Sequence, residues 1–342
     1  MSSEQTSHAG DAVLRALGIH RLPMPVPFPD AGGPVNAYAL EDGKGGVLFF
    51  DTGIGTPEGV AALHAGADGA GLDLRRCTQV VVSHGHVDHF GNAQLLSELS
   101  GAPVRLHPGD MEKVVGEDVW ETRAPVYTAF LRRQGVPEDQ LPRLVAIGRH
   151  SGKYSRRVDP ARVRPLTEGE QLRAGKVRLD VLHLPGHTPG LVCLWNSQHR
   201  LLFADDHLLA RTSPNPFLEL VDERTTRRAL VQYLHSIARI RALDVEWVLP
   251  GHGAPFRGHR AAIDSLLKFY QRRQEKLLGE LAEAPRTTVE LSNALFGPQE
   301  GARLYLTLSE VVGNLEVLEA AGRVRRVGSG SVDRWTAVGE RA

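Results

Sequence analysis

Residues 78–89 read TQVVVSHGHVDH, the most informative segment of the sequence. It opens as a short apolar strand and then places three imidazoles and a carboxylate within six residues, at His84, His86, Asp88 and His89. Neutral imidazole and carboxylate are the preferred protein ligands of zinc and similar metals. Side chains alternate along an extended chain, so His84 and His86 can point to the same side. Asp88 and His89 then fall on the next turn, so the spacing predicts two adjacent metal ions.

Three more candidate ligands share one setting, a polar side chain at or just after the end of an apolar strand. They are His187 in LPGHTPG (184–190), Asp206 in LLFADDHL (201–208) and His252 in LPGHG (249–253). Gly186 and Gly190 allow the backbone to bend closely around a ligand at His187. We expect these three side chains to complete the metal site begun by the first four.

HGHVDH resembles the HxHxDH signature of the metallo-β-lactamase superfamily, and the other motifs follow in that family's order, as a glyoxalase II-like ligand set. The resemblance covers residues 17–257. It implies an α/β fold, an αββα sandwich with the site at the edge between its two sheets. The implied ligands of the first metal are His84, His86 and His187, and those of the second are Asp88, His89 and His252. Asp206 would bridge the two ions, since it aligns with the aspartate of the family's LFxGD pattern, and Asp51 in FFDTG would support a histidine from behind.

The resemblance also implies the cofactor and the chemistry. We expect two divalent metal ions, zinc in the first place, although iron and manganese accept the same ligands. A hydroxide bridging the two ions would be the nucleophile, because such ions lower the pKa of water to about 7. Asp88 would be oriented at that nucleophile and pass its proton to the leaving group.

The length of 342 residues predicts roughly two domains. We place a catalytic domain at residues 1–257, with a lid-like helical and basic insertion at 110–165, and a long helix plus a winged-helix-like domain at 258–342. Residues 149–164 of the insertion hold six basic residues against Asp159. The candidate substrate contacts come from the insertion and from the segment after the bridging aspartate: Tyr127, His150, Tyr154, Arg156, Arg157, His207, Arg211 and Asn215.

Two substrate classes stay open. The first is a carboxylic ester, a lactone or a thioester of the acyl-coenzyme A or acyl-carrier type, whose phosphates a basic lid would attract. The second is single-stranded RNA, because DHLLARTSPNP (206–216) and the tail are similar to bacterial hydrolases related to the β-lactamase-like endoribonuclease. Asp206 argues against a β-lactam substrate. A persulfide dioxygenase and a non-enzymatic binding scaffold are the less favoured alternatives.

Charge and composition bound the partners. Formal net charge is zero, and residues 286–342 hold seven basic and seven acidic residues, with Glu310, Glu316 and Glu319 on the helix that would enter a DNA groove. We therefore expect a small, anionic substrate and no DNA, with RNA as the alternative, and a possible homodimer. Two cysteines, no signal-peptide pattern and no apolar run of about 18 residues predict a reduced, cytoplasmic protein without a membrane span.

Overall fold

The structure is a computed structural model that describes residues 3–28, 33–149, 153–214, 217–328 and 330–339. The chain divides into two compact units. Unit 1 contains Met1–Asp118, Ser151–Pro214 and Ile237–Ile263, and unit 2 contains Val119–His150, Asn215–Ser236 and Asp264–Ala342. Unit 2 thus gathers the helical part of the predicted insertion together with the tail. The domain boundaries expected from the sequence stay a prediction.

Unit 1 is built on two sheets. The first has six strands in chain order, β1 (Ile19–Met24), β2 (Val35–Glu41), β3 (Val47–Phe50), β4 (Cys77–Val81), β5 (Val104–Leu106) and β6 (Val163–Pro165). The second has the order β11-β10-β9-β8-β7, with β7 (Gln171–Ala174), β8 (Val177–His183), β9 (Val192–Asn196), β10 (Leu201–Asp205) and β11 (Trp247–Pro250). Pairs β3–β4, β4–β5, β5–β6 and β10–β11 are parallel, and the other pairs in these sheets are antiparallel.

Strand β3 shows why the first sheet is covered on both faces. All four of its residues are buried, and they alternate between two apolar cores. Val47 and Phe49 join the core that holds helix residues such as Leu63 and Leu96. Leu48 and Phe50 join the core shared with the second sheet. Because strand side chains alternate between faces, a continuous apolar strand packs on a sheet and on helices at once.

The helices of unit 1 are α1 (Ser3–Ala16), α2 (Pro57–Gly69), α3 (Val87–Phe90), α4 (Ala93–Ser100) and α5 (Met111–Val114). Capping residues mark one end of α2 and one end of α4. The Thr56 side chain accepts from the Gly59 amide at the start of α2. Gly101 ends α4 with a φ of 77°, a left-handed conformation that glycine adopts without steric cost. Helices α8 (Ala229–Ala242) and α9 (His259–Glu283) have residues in both units.

Unit 2 contains α6 (Trp120–Arg133), α7 (Leu141–Arg149), α10 (Thr288–Phe296), α11 (Gly301–Ala320) and the hairpin β12 (Val324–Val327) with β13 (Arg334–Ala337). Thr287 and Glu290 form a capping box at the start of α10. Trp335 of the hairpin is buried with leucines of α9, α10 and α11. The helix, helix, hairpin order expected for the tail is present; its assignment as a winged helix stays a prediction.

The α/β class, with two sheets flanked by helices, is confirmed. Helix α1 and strands β6 and β7 were not anticipated from the sequence. No helix in the described part of the chain combines the length and apolarity needed to cross a bilayer.

Candidate metal centre

Four side chains of the site lie at or just after the ends of parallel strands. Asp51 follows β3 and His84 follows its parallel neighbour β4, while Asp205 ends β10 and His252 follows its parallel neighbour β11. The carboxyl ends of parallel strands lie at the same edge of a sheet, where loops can carry functional groups. His86 then holds an extended conformation at the N-terminus of the short helix α3, whose single turn buries Asp88 and His89.

The first group of donors contains His84, His86, His187 and Asp206. Their donor atoms all lie within 4.8 Å of one another. His86 Nδ1 is 2.9 Å from His84 Nε2 and 3.0 Å from His187 Nε2. A tetrahedral zinc ion with bonds of about 2.0–2.1 Å separates its ligand atoms by roughly 3.3 Å. Small outward shifts of these rings would therefore accommodate an ion.

The second group contains Asp88, His89 and His252, and its donor atoms also lie within 4.8 Å of one another. His252 Nε2 is 3.4 Å from Asp88 Oδ2. Asp206 lies against both groups: its Oδ2 is 3.5 Å from His89 Nε2, 3.6 Å from His187 Nε2 and 3.7 Å from His252 Nε2. The structure thus brings together all seven ligands expected from the sequence.

Two buried atoms test whether these residues fit metal ions. His89 Nε2 and Asp206 Oδ1 are inaccessible to solvent and have no hydrogen-bond partner among the described residues. Buried polar atoms are almost always satisfied, so an unsatisfied one requires a physical explanation. Both atoms belong to the ligand set and are of types that coordinate zinc, so the residues present fit divalent ions.

Two carboxylates support the histidines from behind. Asp205 Oδ2 is 2.8 Å from His84 Nδ1, and its Oδ1 is 3.1 Å from His89 Nδ1. Asp51 Oδ2 is also 3.1 Å from His89 Nδ1, while its Oδ1 accepts from the Ser83 amide. A carboxylate that accepts the Nδ1 proton leaves Nε2 as the lone-pair donor, which fixes the tautomer a metal requires. The sequence analysis expected this of Asp51 and missed Asp205, which it considered only as the neighbour of Asp206.

Asp51 and Asp205 share an unusual backbone conformation. Their φ angles are 61° and 48°, in the left-handed region that few residues other than glycine adopt. Aspartate tolerates this region better than most residues. The left-handed residue turns the chain sharply at the end of β3 and of β10, and both turned carboxylates reach His89.

The pKa values of the histidines in the centre are those expected of a site that binds cations. Burial lowers the pKa of His187 to about 4 and, together with His84 and His187, holds that of His86 well below its usual range. Both rings are therefore neutral at pH 7. Burial acts to lower the pKa of His252 as well, but Asp206 and Asp88 raise it to about 9. The carboxylates of Asp206 and Asp88 thus favour positive charge on His252.

Asp110 joins the two loops of the first group. This buried carboxylate accepts from the Gly85 amide at 2.8 Å, from the Thr188 hydroxyl at 2.6 Å and from the Gly190 amide at 3.0 Å. It therefore fixes the His84–His86 turn relative to the His187 loop. The sequence analysis missed Asp110, whose only signal was an acidic residue shortly after a strand.

Gly251 faces the carboxylates directly. A Cβ at this position would lie 2.3 Å from Asp206 Oδ1, 2.5 Å from Asp205 Oδ1 and 3.0 Å from His89 Cε1. No side chain fits there without displacing these groups. Glycine is therefore required next to His252.

The basic segment expected to form a lid makes structural contacts. Arg156 forms two hydrogen bonds with Glu98, of 2.7 and 2.8 Å. The Arg157 guanidinium donates to backbone carbonyls of residues 112, 113, 115 and 116. Arg162 donates to the Ser97 carbonyl, and Arg164 to carbonyls of its own loop. Most charges of this segment thus hold the chain together, and substrate binding by Arg156 and Arg157 stays a prediction.

The other expected substrate contacts lie in different surroundings. The Tyr154 ring packs edge-on against Phe28, with the centroids 5.0 Å apart. His207 is fully buried, and Arg211 is exposed. Tyr127 lies in unit 2, where its hydroxyl donates to the Leu218 carbonyl. His150 and Asn215 lie outside the described residues.

With this geometry in place, comparison with known proteins gives the family. The family model described as the metallo-beta-lactamase superfamily matches residues 30–252. This chain belongs to the metallo-beta-lactamase superfamily. Membership of this superfamily, together with histidine and aspartate clusters able to bind metal ions, makes the chain a metallo-hydrolase.

Among superfamily relatives, the probable metallo-hydrolase YqjP of Bacillus subtilis (strain 168) is 30% identical over 304 residues, which cover 86% of this chain and 91% of the relative. The acyl-coenzyme A thioesterase MBLAC2 of Gallus gallus is 28% identical over 243 residues, which cover 68% of this chain and 77% of that protein. A metallo-beta-lactamase family protein from Thermus thermophilus has a similar structure, with a TM-score of 0.78 and 29% identity over 94% of this chain and 99% of that one. A beta-lactamase domain protein from Burkholderia ambifaria has a TM-score of 0.80 at 25% identity, covering 94% and 92% of the two chains.

Proposed function

We propose that this chain uses two divalent metal ions, zinc in the first place, to hydrolyse a carboxylic ester, thioester or lactone, with an acyl thioester as the leading substrate. The position of Asp206 carries the proposal. Its Oδ2 lies within 3.5–3.7 Å of histidines from both donor groups. A carboxylate placed in this way can serve two adjacent ions.

When bound, two such ions lower the pKa of water to about 7 and polarise a carbonyl group. The residues of the chain supply orientation and proton transfer. Asp205 and Asp51 hold the tautomers of His84 and His89. Burial acts to raise the pKa of Asp88, but His89 and His252 lower it below its usual range. Asp88 is therefore ionised at neutral pH and can accept a proton from the nucleophile and donate it to the leaving group.

The named activity of one relative supports a thioester. The Gallus gallus relative is an acyl-coenzyme A thioesterase and aligns with 68% of this chain. The ribonuclease alternative rests on the likeness of residues 206–216 and the tail to hydrolases related to an endoribonuclease, with the basic segment as a phosphate track. Arg156, Arg157, Arg162 and Arg164 all donate to groups of the protein itself, which weakens such a track for RNA and for coenzyme A alike. Single-stranded RNA therefore stays the second candidate substrate.

The test is hydrolysis of acyl-coenzyme A thioesters, a lactone and single-stranded RNA by metal-loaded protein, with His86→Ala as the control. Losing a mere supporting partner of a ligand costs about 10–100-fold in activity, so loss of a ligand should cost at least about 100-fold. Thioester or lactone turnover that disappears in His86→Ala supports the proposal. Cleavage of RNA alone would overturn the substrate class.

A further inference from the structure

The loop that carries His252 is held by one residue of the first sheet. Asn36 of β2 is 1% exposed, and its side-chain NH₂ group donates to the Pro250 carbonyl at 2.9 Å and to the Gly253 carbonyl at 2.8 Å. Its backbone amide donates to the Gly251 carbonyl at 2.7 Å. Three N–H groups of a single residue therefore hold carbonyls on both sides of the candidate ligand.

The imidazole ring of His252 is oriented from the segment just before β2. Its Nδ1 lies 3.1 Å from the Gly33 carbonyl, which can only accept a hydrogen bond. Nδ1 therefore carries a proton, and Nε2 is the atom that faces the carboxylates of Asp88 and Asp206, at 3.4 and 3.7 Å. The ring points its donor atom at these carboxylates only while the loop keeps its place relative to β2.

Two charged side chains fix the orientation of the Asn36 amide. Arg21 Nη1 donates to Asn36 Oδ1 at 3.3 Å, and the Arg21 guanidinium also forms two hydrogen bonds with Asp11 of α1, of 2.8 and 2.7 Å. Because a guanidinium only donates, the amide oxygen faces Arg21 and both N–H groups face the loop. Helix α1 thus acts on the His252 loop through Arg21 and Asn36.

We propose that Asn36 is the positioning residue of His252, and hence of the metal ion held by the second donor group, and that Arg21 keeps the Asn36 amide in the orientation this requires. The inference rests on the two-ion centre of the proposed function. Asn36 acts differently from Asp51 and Asp205. Those carboxylates contact imidazole rings, whereas Asn36 holds the backbone from which a ring extends.

Loss of the Asn36 side chain should weaken the binding of one ion and not of the other, because His252 belongs to the second donor group. Competition for zinc with a chromophoric chelator resolves the two binding steps without any substrate, and His252→Ala identifies the step of the second group. Tyr38 would still donate to the Pro250 carbonyl at 2.8 Å, and Gly33 would still hold the ring. The lower end of the usual 10–100-fold range therefore applies, so in folded Asn36→Ala we expect this step to weaken about tenfold and the other to stay within about threefold.

Asn196→Ala is the matched control. Asn196 is also 1% exposed, and its side chain donates to the Arg178 carbonyl at 2.7 Å. It ends β9 beside the start of β10, whereas Asp206 follows the other end of β10. Its loss should lower the free energy of unfolding, because a buried carbonyl loses its donor, and should leave both metal-binding steps unchanged. A residue with a purely structural role behaves in this way, so the same result for Asn36→Ala would overturn the proposal.

A second variant keeps the proposal testable if Asn36→Ala does not fold. Arg21→Met retains part of the alkyl packing of a half-buried side chain and removes the contact with Asn36 Oδ1. The step of the second group should then weaken about threefold, since one hydrogen bond corresponds to a factor of about two to ten. If Asn36→Ala does not fold and Arg21→Met binds both ions as the wild type does, the proposal falls.

Measuring metal binding and hydrolysis separately distinguishes this inference from the proposed function. If none of the proposed substrates is hydrolysed but Asn36→Ala loses affinity at the second group alone, the positioning role stands and the proposed reaction falls. If thioesters are hydrolysed and Asn36→Ala binds both ions as the wild type does, the proposed reaction stands and the positioning role falls. A wild-type protein that binds a single ion would overturn the two-ion centre before any variant is compared.

Discussion

Replacement of Asp205 by asparagine tests how the centre is supported. Asp205 is 1% exposed, and its two oxygens contact His84 Nδ1 at 2.8 Å and His89 Nδ1 at 3.1 Å. Asparagine offers one oxygen and one NH₂ group in the same space, so one of the two contacts would set a donor against a donor. The ring concerned would turn or change tautomer, and its Nε2 would no longer be a free lone pair.

The expected loss of metal affinity depends on which hydrogen-bond acceptor each imidazole ring retains. Loss of a partner behind a metal-binding histidine costs about 10–100-fold in metal affinity, or roughly 1.4–2.8 kcal/mol. His89 retains Asp51 as a second acceptor at 3.1 Å, so the lower end applies to it. His84 retains the Ser83 hydroxyl at 2.9 Å, a weaker acceptor than a carboxylate, so the upper end applies. The two rings belong to different donor groups, so loading of both ions should weaken on the order of 10³-fold.

Competition with a chromophoric chelator measures both binding steps, and circular dichroism checks that the fold is retained. Asp180→Asn, a partly exposed aspartate on β8 that contacts Gln171, is the matched control and should leave both steps unchanged. If folded Asp205→Asn bound both ions within about threefold of the wild type, the support assigned to Asp205 would be wrong, since even one lost partner costs about tenfold.

Three further results are expected. Gly251→Ala should reduce metal loading at least about 100-fold, because the added Cβ would displace two carboxylates. Gly279→Ala is the control and should leave metal loading unchanged, because the space around its Cβ is open. Metal analysis of the two purified variants checks both results. Burial acts to lower the pKa of His252 and of His89, but nearby carboxylates raise the first to about 9 and the second well above its usual value. Metal loading at pH 7 should therefore release about two protons, and metal affinity should rise with pH towards 9. Calorimetry in buffers of different ionisation enthalpy counts the released protons. Burial raises the pKa of Glu316 from 4.5 to about 7, so between these pH values the folded state binds more protons than the unfolded state and the free energy of unfolding should fall as pH rises. Urea unfolding at pH 5 and pH 8 should show this fall, of up to about 3 kcal/mol, in the wild type and not in Glu316→Gln.

The part of the centre that could be predicted from the sequence depends on local patterns. His84, His86, Asp88 and His89 lie within six residues, and His187, Asp206 and His252 each lie at or just beyond an apolar strand. Strand ends are visible in a sequence because apolar runs stop at glycine or polar residues. Residues that share this setting therefore could be grouped before any contact was known.

The residues that were missed act through contacts with no local pattern. Asp205 differs from Asp206 by one position, and its role depends on a left-handed φ that the sequence does not reveal. Asp110 is one acidic residue shortly after a strand, and its place behind the His84–His86 turn follows from a hydrogen bond with the Gly85 amide, 25 positions away in the chain. The charges of Arg156 and Arg157 were visible, but their partners were Glu98 and backbone carbonyls. These partners could not be read from the run of positive charge, and the lid that the run suggested stays a prediction.

The way in which the two sheets share the ligands explains why fold and site could be predicted together. His84, Asp88 and His89 follow strands of the first sheet, whereas His187, Asp206 and His252 follow strands of the second. Asp51 and Asp205, from different sheets, both reach the Nδ1 atom of His89. Metal ions at this place would therefore connect the ends of the two sheets, in addition to the apolar core between them. Metal binding at such a site also stabilises the folded state, because the ligands meet only when both sheets have formed. The ligand motifs in the sequence therefore carry information about the fold as well as about the site.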